Sequence, residues 1–290
     1  MLTAKTRSLS FRVGLCLSLV FALPAHPSPS EIRFDPVKQE EVRRRLESYK
    51  GDDGRRERTL KGLFEAAGCT SEKLTEQPVK HLKEPNLICS LPGTTDSIIV
   101  VGAHFDHAAN GSGVVDNWSG ASLLPSLFEV LKQQPRQHTF IFIGFAGEEK
   151  GLVGSEFYAK NLAPEQATKI KAMVNMDTLG LGPTEVWVSR SHPRLCVAMA
   201  QIAQAMKLPV IGVNVDQVGK SDEESFIQRK IPTITIHSLT QATLPILHSP
   251  RDQLPAIKFD DYYNTYRLLS GYLIFLDEKF GSAAGEPEKH

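Results

Sequence analysis

Phe140-Ile-Phe-Ile-Gly-Phe-Ala146 is an apolar run of seven residues, and two adjacent acids, Glu148 and Glu149, follow it. This run predicts a strand that is buried on both faces, as the strands of parallel sheets are. Open α/β sheets bind their ligands where such strands end, at the carboxyl edge. Neighbouring side chains on an extended or turning chain point in different directions, so one carboxylate can bind a metal while the other holds a water. The alternative is a solvated Glu-Glu-Lys turn, because charged residues usually face water.

Strand patterns and helix patterns alternate on both sides of this run. We predict strands at residues 86–91, 97–103, 139–146, 171–176, 185–188, 210–215 and 232–237. Helical periodicity occurs within residues 31–68, and further helices are predicted at 119–133, 152–161, 192–207 and 258–280. This alternation predicts an α/β fold with a mixed, largely parallel central β-sheet covered by helices on both faces. We find no repeat and no interdomain linker, so residues 26–280 are predicted to form a single domain, followed by a disordered tail at residues 281–290.

The amino terminus differs from the rest of the chain in composition. Its positive charges are Lys5, Arg7 and Arg12. The apolar stretch that follows, residues 13–23, is too short to span a bilayer. Together these features predict a secretory signal peptide at residues 1–25, with cleavage near Ala22 or Ala25. We therefore expect a secreted or periplasmic protein without a stable membrane anchor after signal cleavage.

Composition and charge exclude some partners. The chain has 290 residues, of which 41% are apolar and 23% are charged, and its formal net charge is zero. These values are typical of soluble globular proteins. Because no basic cluster is interleaved with aromatic residues, no nucleic-acid partner is expected. The oligomeric state stays open.

Three of the four cysteines lie outside the predicted signal peptide: Cys69, Cys89 and Cys196. An odd number in an exported chain leaves at least one thiol free or buried. Cys69 and Cys89 flank a predicted strand pair, where a disulfide is possible. No Cys-x-x-Cys spacing occurs, so a thiolate metal site is not expected.

Histidines and acids recur where predicted strands end, where helices begin, or in a loop. These residues are His104, Asp106, Asp116, Glu148, Glu149, Asp177 and His248. Each has an ordinary alternative in isolation; Asp116, for example, opens a predicted helix and would suit a helix cap. Taken together they offer two imidazoles and three carboxylates as ligands, with one Glu to spare. That set matches a pair of Zn²⁺ ions that share one bridging carboxylate.

Five blocks of sequence resemble the motif blocks of the co-catalytic zinc aminopeptidases of the M28 type in order, spacing and residue type. The blocks are His104-Phe-Asp106, Asp116-Asn-x-Ser-Gly120, Gly147-Glu-Glu149, Asn175-Met-Asp177 and His248-Ser-Pro-x-Asp252. The resemblance extends from about Asn86 to the terminal helix. It implies a zinc-peptidase fold of the phosphorylase/hydrolase-like kind, and a secreted zinc aminopeptidase.

The resemblance also implies roles for the metal ligands. By that similarity, His104 and Asp177 would bind one zinc ion. Glu149 and His248 would bind the other, and Asp116 would bridge the two, so two Zn²⁺ ions per chain are expected. The Asp116–Asn117 peptide bond would be cis, as in relatives.

The remaining two residues of the set would act on the reaction. Asp106 would hold the His104 imidazole in one tautomer. Glu148 would be the general base, taking a proton from the metal-bound water and passing it to the leaving amine. Substrates would be peptides with a free N-terminus, whose α-amine would lie beside one zinc ion and nearby carboxylates.

The chain departs from this family at three places. Leu247 precedes the last ligand where some relatives have a tyrosine, and it cannot donate to a developing oxyanion. The acids of residues 221–226 would either favour a cationic substrate or form a solvated helix start, and we favour the second. Trp118 replaces a residue that is usually small, and it would either form a wall of the site or pack under the helix.

Two other functions compete with the aminopeptidase. A glutaminyl cyclase resembles the same scaffold but works with a single zinc ion, so counting bound metal would separate the two. A non-catalytic binding module could have inherited the fold. The complete ligand set argues against it, because an inactive relative would be expected to have lost Glu148 or a ligand.

Overall fold

The computed structural model describes residues 32–70, 72–215 and 219–281. The predicted signal peptide, residues 1–25, lies outside these ranges. So does the predicted tail, apart from Gly281, which ends the last helix instead of beginning a tail. That residues 26–280 form one domain stays a prediction. In the described part of the chain, no helix combines the length and apolar character needed to cross a bilayer.

A mixed sheet of eight strands forms the centre of the described residues. The strands are β1 (Leu74–Gln77), β2 (Asn86–Leu91), β3 (Ile98–His104), β4 (Thr139–Phe145), β5 (Ile170–Met176), β6 (Thr184–Val186), β7 (Val210–Gly212) and β8 (Thr233–His237). Their order across the sheet is β1-β2-β4-β3-β5-β8-β6-β7. The central strands β4, β3, β5 and β8 are parallel to one another, and β2 joins β4 in antiparallel fashion. The prediction of a mixed, largely parallel sheet is confirmed.

Helices pack on both faces of this sheet. They are α1 (Gln39–Leu46), α2 (Asp53–Ala66), α3 (Ser119–Ala121), α4 (Leu124–Lys132), α5 (Val153–Lys160), α6 (Pro164–Lys169), α7 (Pro193–Met206), α8 (Glu223–Ile227) and α9 (Phe259–Gly281). Side chains of a strand alternate between faces. Accordingly, Phe140 and Phe142 of β4 belong to the larger core with α4, α7 and α9, whereas Ile143 and Phe145 belong to a second core with Phe226 of α8.

Several boundaries differ from the predictions. The helix predicted at 119–133 is two helices, α3 and α4, and Pro125 lies in the first turn of α4, where a missing N–H costs no helical bond. The strand predicted at 185–188 ends at Val186, before a 3₁₀ turn, Val188–Arg190. The strand predicted at 210–215 ends at Gly212. Helix α6 was not predicted, because its six residues are too few to show a periodicity.

The predicted strand pair between Cys69 and Cys89 corresponds to β1 and β2, which are antiparallel. Cys69 precedes this pair but Cys89 lies within β2, so the two cysteines do not flank it; they form a disulfide, as considered possible from the sequence. Cys196 of α7 is a half-buried free thiol. The disulfide joins the end of α2 to β2, and thereby ties the amino-terminal helices to the sheet.

Candidate metal centre

The carboxyl ends of three adjacent parallel strands bring most of the predicted site together. Strand β3 ends at His104, β5 ends one residue before Asp177, and β4, between β2 and β3, leads into Glu148 and Glu149. Strands of this kind end at one edge of a sheet, where α/β proteins bind ligands. The side chains of Glu148, Glu149 and Asp177 all line one cavity there, of about 120 Å³.

Asp116 reaches this edge from a distorted turn, Val114–Trp118. The Asp116–Asn117 peptide bond is cis, as the resemblance implied. The carboxylate of Asp252 accepts hydrogen bonds from the backbone N–H groups of Val115, at 2.8 Å, and Asp116, at 3.2 Å. Asp116 therefore does not act as the helix cap considered as its alternative role; its side chain points to two histidines.

The two oxygens of Asp116 face different histidines. Its Oδ1 lies 3.3 Å from His104 Nε2, and its Oδ2 lies 3.2 Å from His248 Nε2. His248 Nε2 also lies 3.0 Å from Glu149 Oε2. Asp116 is thus located between the two histidines, as a bridging ligand would be.

Potential ligand atoms form two compact groups. The first, here called the deep group, is His104, Glu148 and Asp177. The second, the outer group, is Asp116, Glu149 and His248. Within each group one ligand atom per residue lies within 4.8 Å of the others. All five predicted ligands therefore meet at one place, and Glu148, predicted as the general base, lies among them.

The two histidines differ strongly in their surroundings. The side chain of His104 is 1% exposed, and within the described residues neither of its ring nitrogens has a hydrogen-bond partner. The side chain of His248 is 58% exposed and belongs to a loop with a positive φ of 52°. A buried imidazole without a hydrogen bond is costly. A cation bound at Nε2 would satisfy that atom of His104.

Asp106 contacts both the histidine and the glutamate pair. Its Oδ1 lies 3.6 Å from His104 Nδ1, which is longer than a normal hydrogen bond. Its two oxygens accept hydrogen bonds from the backbone N–H groups of Glu148, at 3.1 Å, and Glu149, at 3.2 Å. In this structure Asp106 therefore positions the turn of the two glutamates, and it lies beside the imidazole that it was predicted to orient.

Burial and neighbouring carboxylates raise the pKa values of the two glutamates of the site. Burial, together with the neighbouring carboxylates of Asp222 and Asp177, raises the pKa of Glu148 to about 10. Burial and the charge of Asp116 raise the pKa of Glu149 to about 7. These acids therefore hold protons near neutral pH, and cations bound beside them would take the place of those protons.

For Asp116, at the proposed bridging position, contacts with histidines matter more than burial. Burial opposes the ionisation of Asp116, but contacts with His104 and His248 outweigh burial and lower its pKa. The contact with Asp116 in turn raises the pKa of His248 to about 9, against a smaller effect of burial. Two imidazoles and several carboxylates within this distance form the mixed nitrogen and oxygen donor set that zinc prefers. The residues present therefore fit zinc.

A buried network behind Asp177 was missed by sequence reasoning. Ser221 Oγ donates to Asp177 Oδ2 at 2.5 Å, and Asn175 Nδ2 donates to Ser221 Oγ at 2.9 Å and to Glu223 Oε2 at 3.1 Å. The preferred interpretation of residues 221–226 as a solvated helix start is wrong for Asp222 and Glu223, which are buried. Burial raises the pKa of Asp222 to about 7. The Ser221-Asp222 pair was the one sequence feature that could have indicated this network.

The cavity beside the metal ligands has a mixed wall. Trp187, Thr235, His237, Leu239 and Leu247 contribute to it. Leu247 lies on this wall and carries no donor, as expected from the sequence. Trp118, by contrast, packs in the core under the helix, where its indole N–H donates to the backbone carbonyl of Arg45 at 3.1 Å.

The part of the sequence that contains the site matches a known protein family. A sequence model described as peptidase family M28 matches residues 86–273. The chain belongs to peptidase family M28. The matched range contains all seven predicted site residues, and the resemblance inferred from the five motif blocks is confirmed.

Individual M28 relatives and structures cover different shares of the chain. An aminopeptidase of Pseudomonas aeruginosa, strain UCBPP-PA14, is 39% identical over 88 residues, which is 30% of this chain and 16% of that protein. The chain spans between 16% and 41% of the length of the first four curated relatives that it matches. The crystal structure of Legionella pneumophila LapA aminopeptidase is similar, with a TM-score of 0.73, 20% identity, and coverage of 83% of this chain and 70% of that chain.

The fold is shared with proteins described by another activity. The crystal structure of a glutaminyl cyclase from an Acidobacteriales bacterium has a TM-score of 0.71 and 17% identity to this chain. The match covers 90% of this chain and 100% of that chain. At such identity the likeness shows the fold alone, so the residues of the site must decide between the two activities.

Proposed function

We propose that this chain is a secreted or periplasmic zinc aminopeptidase that holds two zinc ions and releases the N-terminal residue of peptides. One observation carries the proposal: the two oxygens of Asp116 face His104 and His248, and each of these histidines lies in its own group of candidate ligands. A single-ion site would leave one of the two groups without a function.

Zinc would be held by His104 and Asp177 in the deep group and by Glu149 and His248 in the outer group, with Asp116 shared. When bound, the two ions would lower the pKa of the attacking water and polarise the scissile carbonyl. The remaining proposed steps, which are proton transfer and substrate binding, are carried out by side chains of the protein.

Glu148 is proposed to move the proton. Its side chain is 12% exposed and lies beside the candidate ligands, with Oε2 3.9 Å from His104 Nε2. Burial and the neighbouring acids raise its pKa in the metal-free protein, and bound zinc would offset that repulsion and leave the carboxylate able to accept a proton. In the reaction the water oxygen forms a bond to the carbonyl carbon while Glu148 accepts the water's proton. Glu148 then gives that proton to the nitrogen of the leaving amine as the carbon–nitrogen bond breaks. Asp106 keeps Glu148 in place by accepting a hydrogen bond from the backbone N–H of Glu148.

Substrate binding is proposed to use the cavity beside the ligands. The α-amine of a peptide, which is positive at neutral pH, would lie against the carboxylates of the site, and this restricts cleavage to the terminal residue. The first side chain would lie between Trp187, Leu239 and Leu247. The Cys69–Cys89 disulfide supports an oxidising compartment, in agreement with the predicted signal peptide.

A single-zinc glutaminyl cyclase is the second candidate, because the cyclase fold aligns over the whole of that chain. Both activities would use Glu148 for proton transfer, so a mutation of Glu148 alone cannot separate them. The number of zinc ions and the nature of the product can.

The deciding experiment combines a metal count with two substrate classes. Purified protein is stripped of metal, reloaded with zinc, and assayed on a panel of aminoacyl anilides and on peptides that begin with glutamine. We expect two zinc ions per chain and hydrolysis of the anilides to the free amino acid and the aniline. One zinc ion together with cyclisation of the terminal glutamine would identify a cyclase. Zinc-loaded protein that changes neither substrate class would favour the binding module.

A further inference from the structure

The amino-terminal helix α2 contains a buried arginine, Arg56, which is 1% exposed. Its guanidinium donates to four backbone carbonyls: those of Tyr49 at 3.1 Å, Phe105 at 3.2 Å, Gly113 at 3.1 Å, and Ser112. A guanidinium has five N–H donors in a rigid planar fork, and so it can hold several chain segments at fixed distances from one another.

Two of the segments that Arg56 holds carry metal ligands. Phe105 lies between His104 and Asp106, and Ser112 and Gly113 lead directly into the turn of Asp116. These segments are the two ends of one loop, and Arg56 contacts both from a helix that lies 49 to 57 residues earlier in the chain. Arg56 therefore fixes the distance between the end of β3 and the turn that contains the bridging carboxylate.

The positive charge of Arg56 also helps to keep the carboxylates of the site together. Burial lowers the pKa of Arg56, whereas Asp53, Asp252, Asp106 and Asp116 lie close enough to favour its charged form. Within residues 32–70, 72–215 and 219–281 its guanidinium donates to backbone carbonyls and forms no direct ion pair. Carboxylates crowded at the site repel one another, and a buried cation behind them offsets part of that repulsion. Arg56 thus supports the acids without occupying a coordinating oxygen.

A second residue of the same helical turn contacts two loops of the site. Asp53, three residues before Arg56, accepts from His107 Nδ1 at 3.0 Å and from Lys150 Nζ at 3.3 Å. Residues three apart lie on one face of a helix. His107 follows the strand end that carries His104, and Lys150 directly follows Glu149, so Asp53 joins the loops after β3 and β4.

Neither residue belongs to the part of the chain that matches the family, which begins at residue 86. We propose that Arg56, assisted by Asp53, is a positioning residue of the metal centre, and that the first turn of α2 holds the ligand-bearing loops in the spacing that zinc requires. The inference rests on the proposed zinc site and adds residues to it that touch neither metal nor substrate.

Arg45 provides a matched control. It is also a buried arginine of the amino-terminal helices, at 3% exposure. Its guanidinium contacts Glu41, Ser126 and Glu129, and none of these belongs to the site. Replacing either arginine by methionine keeps much of the side-chain volume and removes the charge and the donors. Loss of general stability should therefore affect both variants, whereas loss of positioning should affect only one.

The experiment uses the full chain as R56M, R56K, D53N, R45M and R45K. Zinc affinity is measured on metal-free protein by competition with a chromophoric chelator, and thermal unfolding is recorded with and without zinc. We expect R56M to bind zinc about 10- to 100-fold more weakly than wild type, the range known for residues that orient ligands. R56K, which keeps the charge but not the fork, should recover part of this loss, and D53N should lose less than R56M. R45M and R45K should unfold at lower temperature with zinc affinity unchanged.

Kinetics on an aminoacyl anilide supply a further measurement. R56M should lower kcat more than it raises KM, because Arg56 lies behind the ligands and away from the cavity wall. Equal zinc affinity in R56M and wild type, or equal losses in R56M and R45M, would overturn the proposal. If R56M does not fold, R56K and D53N decide in the same way. Wild-type protein that binds zinc but hydrolyses no peptide would refute the aminopeptidase and leave the positioning role of Arg56 standing.

Discussion

The deep and outer groups of the proposed metal centre have similar candidate ligands in different surroundings. His104 of the deep group ends a buried strand and is 1% exposed, whereas His248 of the outer group lies in a loop and is 58% exposed. Water competes with ligands and screens charge where it has access. We therefore expect the outer zinc ion to be bound more weakly and to exchange faster than the deep one.

The largest expected effect separates the two adjacent glutamates. Glu148→Gln removes the proposed base but keeps the side-chain shape, so kcat should fall about 100- to 10,000-fold with both zinc ions retained. Glu149→Gln removes a ligand of the outer group, so it should lose zinc affinity as well as activity. Metal analysis after gel filtration, together with kcat on an anilide substrate, measures both. If Glu148→Gln lost the same metal as Glu149→Gln, Glu148 would be a ligand of the deep group and not its base.

Removing the two histidines tests the difference in depth directly. His248→Ala should leave one tightly bound zinc ion and a fold close to wild type, because the side chain is largely exposed. His104→Ala should weaken the deep ion and also lower the thermal unfolding temperature of the zinc-loaded protein, because the deep ion is enclosed by the fold. Isothermal titration with zinc and a thermal melt of each variant provide the comparison. Equal affinities for the remaining ion in both variants would mean that burial does not distinguish the two groups.

The pH dependence of binding of the outer zinc ion should follow His248 and Glu149. Contact with Asp116 raises the pKa of His248 to about 9, and burial raises that of Glu149 to about 7. Zinc binds only the deprotonated ligands, so affinity for the outer ion should rise with pH, by about 10-fold per pH unit between pH 7 and 9 as one proton of His248 is displaced. In metal-free protein the same contact stabilises the fold while His248 is protonated, and this contribution is lost as the pH rises through about 9. Zinc titrations at several pH values that gave one constant affinity would contradict the assignment.

The smallest expected effect concerns Asp252, which holds the turn of the proposed bridging residue, Asp116. Asp252 accepts the backbone N–H groups of Val115 and Asp116, and its amide analogue keeps only one of its two acceptor oxygens. Asp252→Asn should therefore weaken zinc binding by about 10-fold, the lower end of the range for residues that orient ligands. Affinity is measured by chelator competition, with thermal unfolding of the metal-free protein as the control. A variant that unfolds earlier but binds zinc like wild type would assign Asp252 a role in folding alone.

Much of this arrangement was predictable from local pattern. Strands β3, β4 and β5 are mostly apolar segments of seven residues, and their ends place His104, the glutamate pair and Asp177 at the same edge of the sheet. The order and spacing of the five motif blocks identified the family, which the family model confirms, and predicted the ligands. Boundaries were predicted less well where proline or a short 3₁₀ turn interrupts a regular element, as at Pro125 and Val188.

Contacts between segments that are distant along the chain could not be predicted from strand pattern or motif spacing. Asp252 binds Asp116 across 136 residues, and Arg56 binds Gly113 across 57. Neither pairing has a fixed spacing that a motif could record. The buried positions of Asp222 and Glu223 likewise follow from the packing of α8 against β5 and β8, although their charges suggested solvent.

Residue types and their order along the chain were thus enough to establish the fold class, the family and the candidate ligands, because strand periodicity and motif spacing are local properties. The division into a deep and an outer group, the shifted pKa values of the acids and the hold of Arg56 on the ligand loops depend on which distant segments pack together. Burial and electrostatic interaction are properties of that packing, so they became visible only in the tertiary structure.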